Sequence, residues 1–228
     1  DAGMLGVVLH PEFGQIGSPN AQYIYVFYRY AYVQGVQRPK AYCRLSRFTV
    51  DLNTLKSHDS TEFVLIQQYD RHDWHNGGGM FFGTDGFLYL TVGDAGGAND
   101  AFNTAQKMDV GLLSGILRID VDMNPVTSHP IRRQPINPAT PPSGWPGSYS
   151  QGYYIPNDNP WPSPDSSHLE EFWAVGLRSP HRMTYDQLSN TIWIGDIGQG
   201  SREEISVLGK GENAQWPYME GNRVTGQT

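Results

Sequence analysis

Apolar positions in this chain fall into short runs, each closed by glycine, aspartate, asparagine or proline. Tyr23 to Tyr28, Leu45 to Val50, Glu62 to Ile66 and Phe87 to Val92 are the first of them. Gly115 to Val121, Phe172 to Val175, Thr191 to Ile194 and Ile205 to Leu208 follow. They are rich in β-branched and aromatic residues, which pack well on a pleated surface. Runs of this length between turn residues predict an all-β chain. Helical periodicity is nearly absent, and Ala101 to Leu113 is the one stretch that could form a helix.

The pattern also repeats. Gly83-Thr84-Asp85-Gly86 leads into Phe87-Leu88-Tyr89-Leu90 and ends in Gly93-Asp94. The same order returns 102 positions later, where Tyr185-Asp186-Gln187 leads into Thr191-Ile192-Trp193-Ile194 and ends in Gly195-Asp196. His10-Pro11-Glu12-Phe13 before Tyr25-Val26-Phe27-Tyr28 is a looser third copy. The spacing is close to two β-propeller blades of roughly 50 residues each. A coincidental pair of hairpins would give the same two copies.

One segment breaks the rhythm. Met123 to His168 holds 11 of the 16 prolines, a density that blocks strand ladders and helices alike. It reads as a long ordered loop between blades, laid over one face, because Trp145, Tyr153, Tyr154 and Trp161 need a surface to pack on.

Composition narrows the partners. The 228 residues suffice for one or two domains, and a hydrophobic share of 38% fits a soluble globular protein. No run approaches the roughly 18 apolar residues of a membrane span. The net charge is -7, and Arg132-Arg133 is the one basic cluster, so nucleic acid is not an expected partner. The single cysteine, Cys43, rules out an internal disulfide and a cysteine-based zinc site, and reads as a buried structural thiol. Asp1-Ala2-Gly3-Met4 carries no basic stretch followed by an apolar run, so any secretion signal is expected outside this sequence.

The residues with the most chemistry lie between His75 and Asp94. Three glycines follow His75, so no bulky neighbour covers its ring and a flat molecule can lie close to the backbone. Asp94 ends the strand after the Gly83 to Gly86 turn, and a hairpin there could return its carboxylate to the imidazole. A carboxylate on one ring nitrogen fixes the tautomer and raises the basicity of the other, as a general base needs. A histidine in a glycine-rich turn can equally be a hydrogen-bonding turn residue. His72 and His75, with Asp73, also have the spacing of a zinc pair, but the surrounding Gly and Asp disfavour the helix that this spacing requires.

Taken together, His75 to Asp94, Gly115 to Asp120, Tyr154 to Pro160, Gly176-Leu177-Arg178-Ser179-Pro180 and Gly195 to Gln199 resemble, in order and spacing, the motifs of the soluble PQQ-dependent glucose/sorbosone dehydrogenase family. Gly3 to Phe13 and Asn213 to Tyr218 extend the likeness to nearly the whole chain. The resemblance implies a six-bladed quinoprotein propeller with pyrroloquinoline quinone (PQQ) on the blade ends beside Ca2+. It implies that His75, paired with Asp94, removes the anomeric hydroxyl proton of an aldose-type sugar while hydride passes to PQQ. Arg178 falls on the family's quinone-binding arginine, with Ser179 and His181 at adjoining cofactor positions. Two calcium-binding backbone carbonyls fall on Gly198 and Gln199, and hard oxygen ligands suit that ion. Glu203-Glu204 matches a second calcium position of some members; without the family it reads as a solvated edge-strand pair.

The sequence also departs from the family. Ser179 stands where asparagine is usual, His181 where glutamine or tryptophan is common, and Ile197 where some members have a polar residue. Asp1 falls on an active-site glutamine or glutamate. Six blades need about 300 residues or more, so a sector of three to four blades is expected, short of the later quinone-binding Lys and Arg. The resemblance further implies a periplasmic or secreted protein, with a cytochrome or quinone as electron acceptor. Two non-catalytic readings stand beside the enzyme: a binding module like the propeller of Hedgehog-interacting proteins, and a calcium-stabilised sugar-binding propeller.

Overall fold

The computed structural model describes residues 3–32, 41–137 and 139–227. Asp1 lies outside them. Three antiparallel sheets follow one another along the chain. The first contains β1 (Met4–Leu9), β2 (Tyr23–Tyr30), β3 (Ala41–Asp51), the short β4 (Lys56–Ser57) and β5 (Phe63–Asp70), with the path β1-β2-β3-β5 and β4 pairing β3. The second is built on β6 (Met80–Phe82), β7 (Leu88–Val92) and β8 (Gly115–Ile119). After β8 come the two- and three-residue strands β9 (Ser128–Pro130), β10 (Tyr149–Ser150) and β11 (Tyr154–Pro156), and then β12 (Phe172–Val175) closes the second sheet in the order β6-β7-β8-β12. The third runs β13 (Pro180–Asp186), β14 (Thr191–Asp196), β15 (Glu204–Val207), and a final hairpin joins β16 (Met219–Glu220) to β17 (Arg223–Val224).

The sheets stack as propeller blades. Strand alternation sends Leu88, Leu90 and Val92 of β7 toward the first sheet, where they meet Tyr25, Phe27, Leu45 and Leu65. Tyr89, between them, faces the third sheet and packs with Ile192, Ile194 and Leu208. Both faces of the middle blade are thus covered, and every residue of β7 and β8 is buried. The inner strands β1, β6 and β13 meet near the axis, which leaves little room for side chains. A Cβ on Gly6 would overlap the Gly78 carbonyl, and one on Gly79 would stand 2.6 Å from Met183 Cβ. The outward alternates of the third sheet, Trp193, Ile205 and Val207, are exposed, as they are in an open sector of a propeller.

Two sequence expectations need correction. Ala101 to Leu113 forms turns instead of a helix. The Asp100 carboxylate accepts the backbone N–H of Thr104 at 2.9 Å and of Ala105 at 3.1 Å, and Asn103 is left-handed at φ 52°. That side chain competes with the helical ladder for the same donors. The proline-rich segment from Met123 to His168 lies within the second blade, between β8 and β12, and not between blades. Its β10 adds to the outer edge of the first sheet, with Tyr149 opposite Gln67. The aromatics do find a surface: Trp145 stacks on Tyr42 at 6.0 Å, and the Tyr153 hydroxyl donates to Glu171 at 2.7 Å.

Candidate active site

The site forms where the chain leaves β5 and where β7, β12 and β14 end. His75 has a left-handed backbone at φ 61°, and the glycines after it lie across β7. Gly78 N–H donates to the Thr91 carbonyl and Gly79 N–H to Thr91 Oγ1, both at 2.9 Å. A Cβ on Gly93 would overlap the His75 carbonyl, so glycine there lets the two backbones touch. This contact brings the next residue, Asp94, to the imidazole.

His75 Nδ1 and Asp94 Oδ1 are 2.6 Å apart, and both side chains are buried. The same oxygen accepts the Gly96 N–H at 2.9 Å, and the indole Nε1–H of Trp216 donates to Oδ2 at 2.8 Å. The tautomer is therefore set with the aspartate on Nδ1, which leaves Nε2 as the basic nitrogen. The zinc spacing does not converge: the His72 ring packs against Trp74 at 4.8 Å instead of joining His75. Among the described residues no group of three or more His, Cys, Asp or Glu is arranged to hold a metal ion.

Arg178 adjoins this dyad. Its carbonyl accepts the Asp94 N–H at 3.0 Å, and its guanidinium carbon lies 5.3 Å from the Trp216 ring centroid. Nη1 donates to the carbonyls of Ile197 at 2.9 Å and Gly198 at 3.0 Å, whereas the buried Nε has no hydrogen-bond partner. Asp196, which ends β14 as Asp94 follows β7, holds this turn by accepting the N–H of Arg178 at 3.0 Å and of Ser179 at 2.6 Å. Burial pushes the Asp196 carboxyl up to about 7, against those two hydrogen bonds. Ser179 is buried beside Arg178, and His181 is half-buried in β13, its basicity lowered by burial and by Arg182.

The loop after β14 carries the proposed metal groups. Gly198, Gln199 and Glu203 line one open pocket, and Glu203 and Glu204 line the next. Glu203 Oε2 accepts the Gly198 N–H at 3.3 Å, and Glu204 Oε1 accepts that of Gly221 at 2.5 Å. Burial, then the charges of Glu220 and Glu203, raise the Glu204 pKa. Glu220 Oε1 gathers the N–H groups of Gln199, Gly200, Ser201 and Arg202 at 2.6–3.3 Å. Although burial opposes it, these bonds hold the Glu220 carboxyl down to about 2.

The glucose/sorbosone dehydrogenase family description matches residues 1–140 and 150–228. The chain belongs to this family. Among relatives of this glucose/sorbosone dehydrogenase-family chain, HIPL1 protein of Arabidopsis thaliana is 38% identical over 64% of the chain and 19% of its own length. The aldose sugar dehydrogenase YliI of Escherichia coli is 26% identical over 94% of the chain and 46% of its own length, and human Hedgehog-interacting protein is 26% identical over 91% and 27%. The chain thus spans about a fifth to a half of these relatives. The apo-form of the soluble E. coli aldose sugar dehydrogenase superposes with a TM-score of 0.60 at 24% identity, over 94% of this chain and 49% of that one. The PQQ-bound aldose sugar dehydrogenase of Streptomyces coelicolor gives 0.55 at 18% identity, over 97% and 50%. Both likenesses establish the propeller fold.

Sequence reasoning gave no role to Trp216, Asp196 or Glu220. Trp216 stood in a quoted motif, and the repeated Gly-Asp ending pointed to Asp196. Nothing in the sequence places Glu220 over a loop about 20 residues earlier.

Proposed function

We propose that this chain carries the proton-abstracting side of a quinoprotein sugar dehydrogenase, acting on the anomeric hydroxyl of an aldose-type sugar. The observation that carries this reading is the buried His75–Asp94 pair at 2.6 Å. His75 Nε2 takes the hydroxyl proton as the C1–H bond breaks, and Asp94 stabilises the imidazolium that forms. PQQ, when bound, supplies the acceptor for the hydride. The residues present fit it: Arg178 Nε is a buried cationic donor without an acceptor, which a quinone carboxylate would satisfy. Gly77 to Gly79 do not leave the open space expected beside the base: they pack against Thr91, Leu5 and Met183, and so lay the chain after His75 onto β7. For Ca2+, the Gly198 and Gln199 carbonyls would supply hard oxygens, with Glu203 on the same pocket. A periplasmic or secreted location follows from the same reading.

The test is sugar-dependent dye reduction by the intact protein after loading with PQQ and CaCl2. Bound-quinone absorbance with turnover supports the enzyme; quinone binding without turnover for any aldose removes it. A binding module is the second reading. It is favoured by Arg178 Nη1, which already occupies the Gly198 carbonyl assigned to calcium.

A further inference from the structure

We propose that Trp216 is a positioning residue that tunes the basicity of His75 through Asp94; the proposal rests on the reading of His75 as the base. Asp94 is fully buried, so water cannot replace a lost donor. His75 Nδ1 and Gly96 N–H serve Oδ1, and the donor to Oδ2 is the Trp216 indole at 2.8 Å. That bond draws negative charge away from the oxygen facing the imidazole and stops the carboxylate from rotating. Asp94 is thereby held with Oδ1 on the imidazole Nδ1, and Nε2 remains the base.

The indole is fixed for this role by its backbone. Trp216 N–H donates to the Gly176 carbonyl at 2.9 Å, and Gln106 Nε2 donates to the Trp216 carbonyl at 2.6 Å. Ala214 N–H bonds Val175, and Val175 N–H bonds Glu212, so the segment is laced to the end of β12. The ring also lies under the Arg178 guanidinium at 5.3 Å, within cation–π range. One side chain therefore touches the base pair and the arginine assigned to the quinone.

Other charged groups surround the pair. Arg178 follows β12, while Asp196 on β14 and Asp100 in the loop after β7 act on Asp94 through their charges. Asp70 of β5 and Cys43 of β3 line a small cavity with His75, and His72 and Asp73 precede it on its own segment. These groups keep their identity in Trp216→Phe, but the ring facing Arg178 changes along with the indole N–H, so the Asp94→Asn background is what separates the hydrogen bond from the ring contact.

The experiment is an NMR titration of the His75 imidazole in the intact protein without PQQ. In Trp216→Phe the His75 pKa should rise by at least about half a unit, because the carboxylate loses a charge-assisted donor. In the Asp94→Asn background the same substitution should shift nothing. In the wild type, which needs no variant to fold, the Trp216 indole N–H resonance should move with the His75 titration. An indole resonance that stays fixed, or an unchanged His75 pKa in folded Trp216→Phe, overturns the proposal. Coupling in the NMR data with no sugar-dependent turnover keeps the role of Trp216 and removes the dehydrogenase reading.

Discussion

Arg178 donates from Nη1 to the carbonyl of Gly198 at 3.0 Å, so a guanidinium already sits where the family places calcium. A guanidinium and a divalent ion on one carbonyl repel in a partly desolvated site by on the order of 8 kcal/mol at 4 Å, twice the value for two unit charges. Calcium and Arg178 should therefore compete, and the arginine should be released toward a quinone carboxylate. Arg178→Gln is expected to bind Ca2+ at least several-fold more tightly by calorimetry and PQQ more weakly. Loss of calcium affinity in that variant would show that Arg178 supports the ion instead.

Glu171 gives a pH dependence of stability. Burial pushes its carboxyl up to about 7 in the folded protein, against the hydrogen bond from Tyr153; the unfolded value is about 4.3. Between those values the folded state holds the proton and the unfolded state does not, so stability falls as pH rises from about 4.5 to 7. Glu171→Gln keeps an acceptor for Tyr153 and should flatten this limb, gaining in melting temperature at pH 8 relative to pH 5. Parallel wild-type and variant melting curves across that range would refute the assignment.

Gly93→Ala tests how the dyad is assembled. The added Cβ meets the His75 carbonyl, which is backbone and cannot swing aside. Overpacking of this kind costs about 1–3 kcal/mol. The variant should melt several degrees lower, and a crystal structure should show His75 Nδ1 and Asp94 Oδ1 drawn apart beyond hydrogen-bond distance. A His75–Asp94 pair left in place would mean that the Gly93 contact does not position it.

The sequence made the middle and outer strands of each blade legible, because their residues pack against neighbouring sheets and so keep a β-branched and aromatic pattern. It hid the inner strands β1, β6 and β13. Gly6 interrupts β1 and Gly79 adjoins the three-residue β6 where the axis leaves no room for a side chain, while β13 opens on Pro180 and mixes polar with apolar residues, so no apolar run marks it. His75 and Asp94 were legible because the hairpin turn and the Gly-Asp ending fix where the chain returns. Trp216 and Glu220 were not, since they reach the site from other blades, and a contact such as Trp216 to Asp94 spans 122 positions. The segment from Met123 to His168 misled because proline density reports lost ladders, not which two strands a loop connects.

His75→Ala tests the central claim most directly. The measurement is kcat and KM for an aldose in the intact protein loaded with PQQ and Ca2+, with quinone absorbance recorded for each preparation. With quinone still bound, kcat should fall by about 10²–10⁴-fold, the range of general-base catalysis, while KM changes little. A His75→Ala protein that turns over at the wild-type rate would contradict the account.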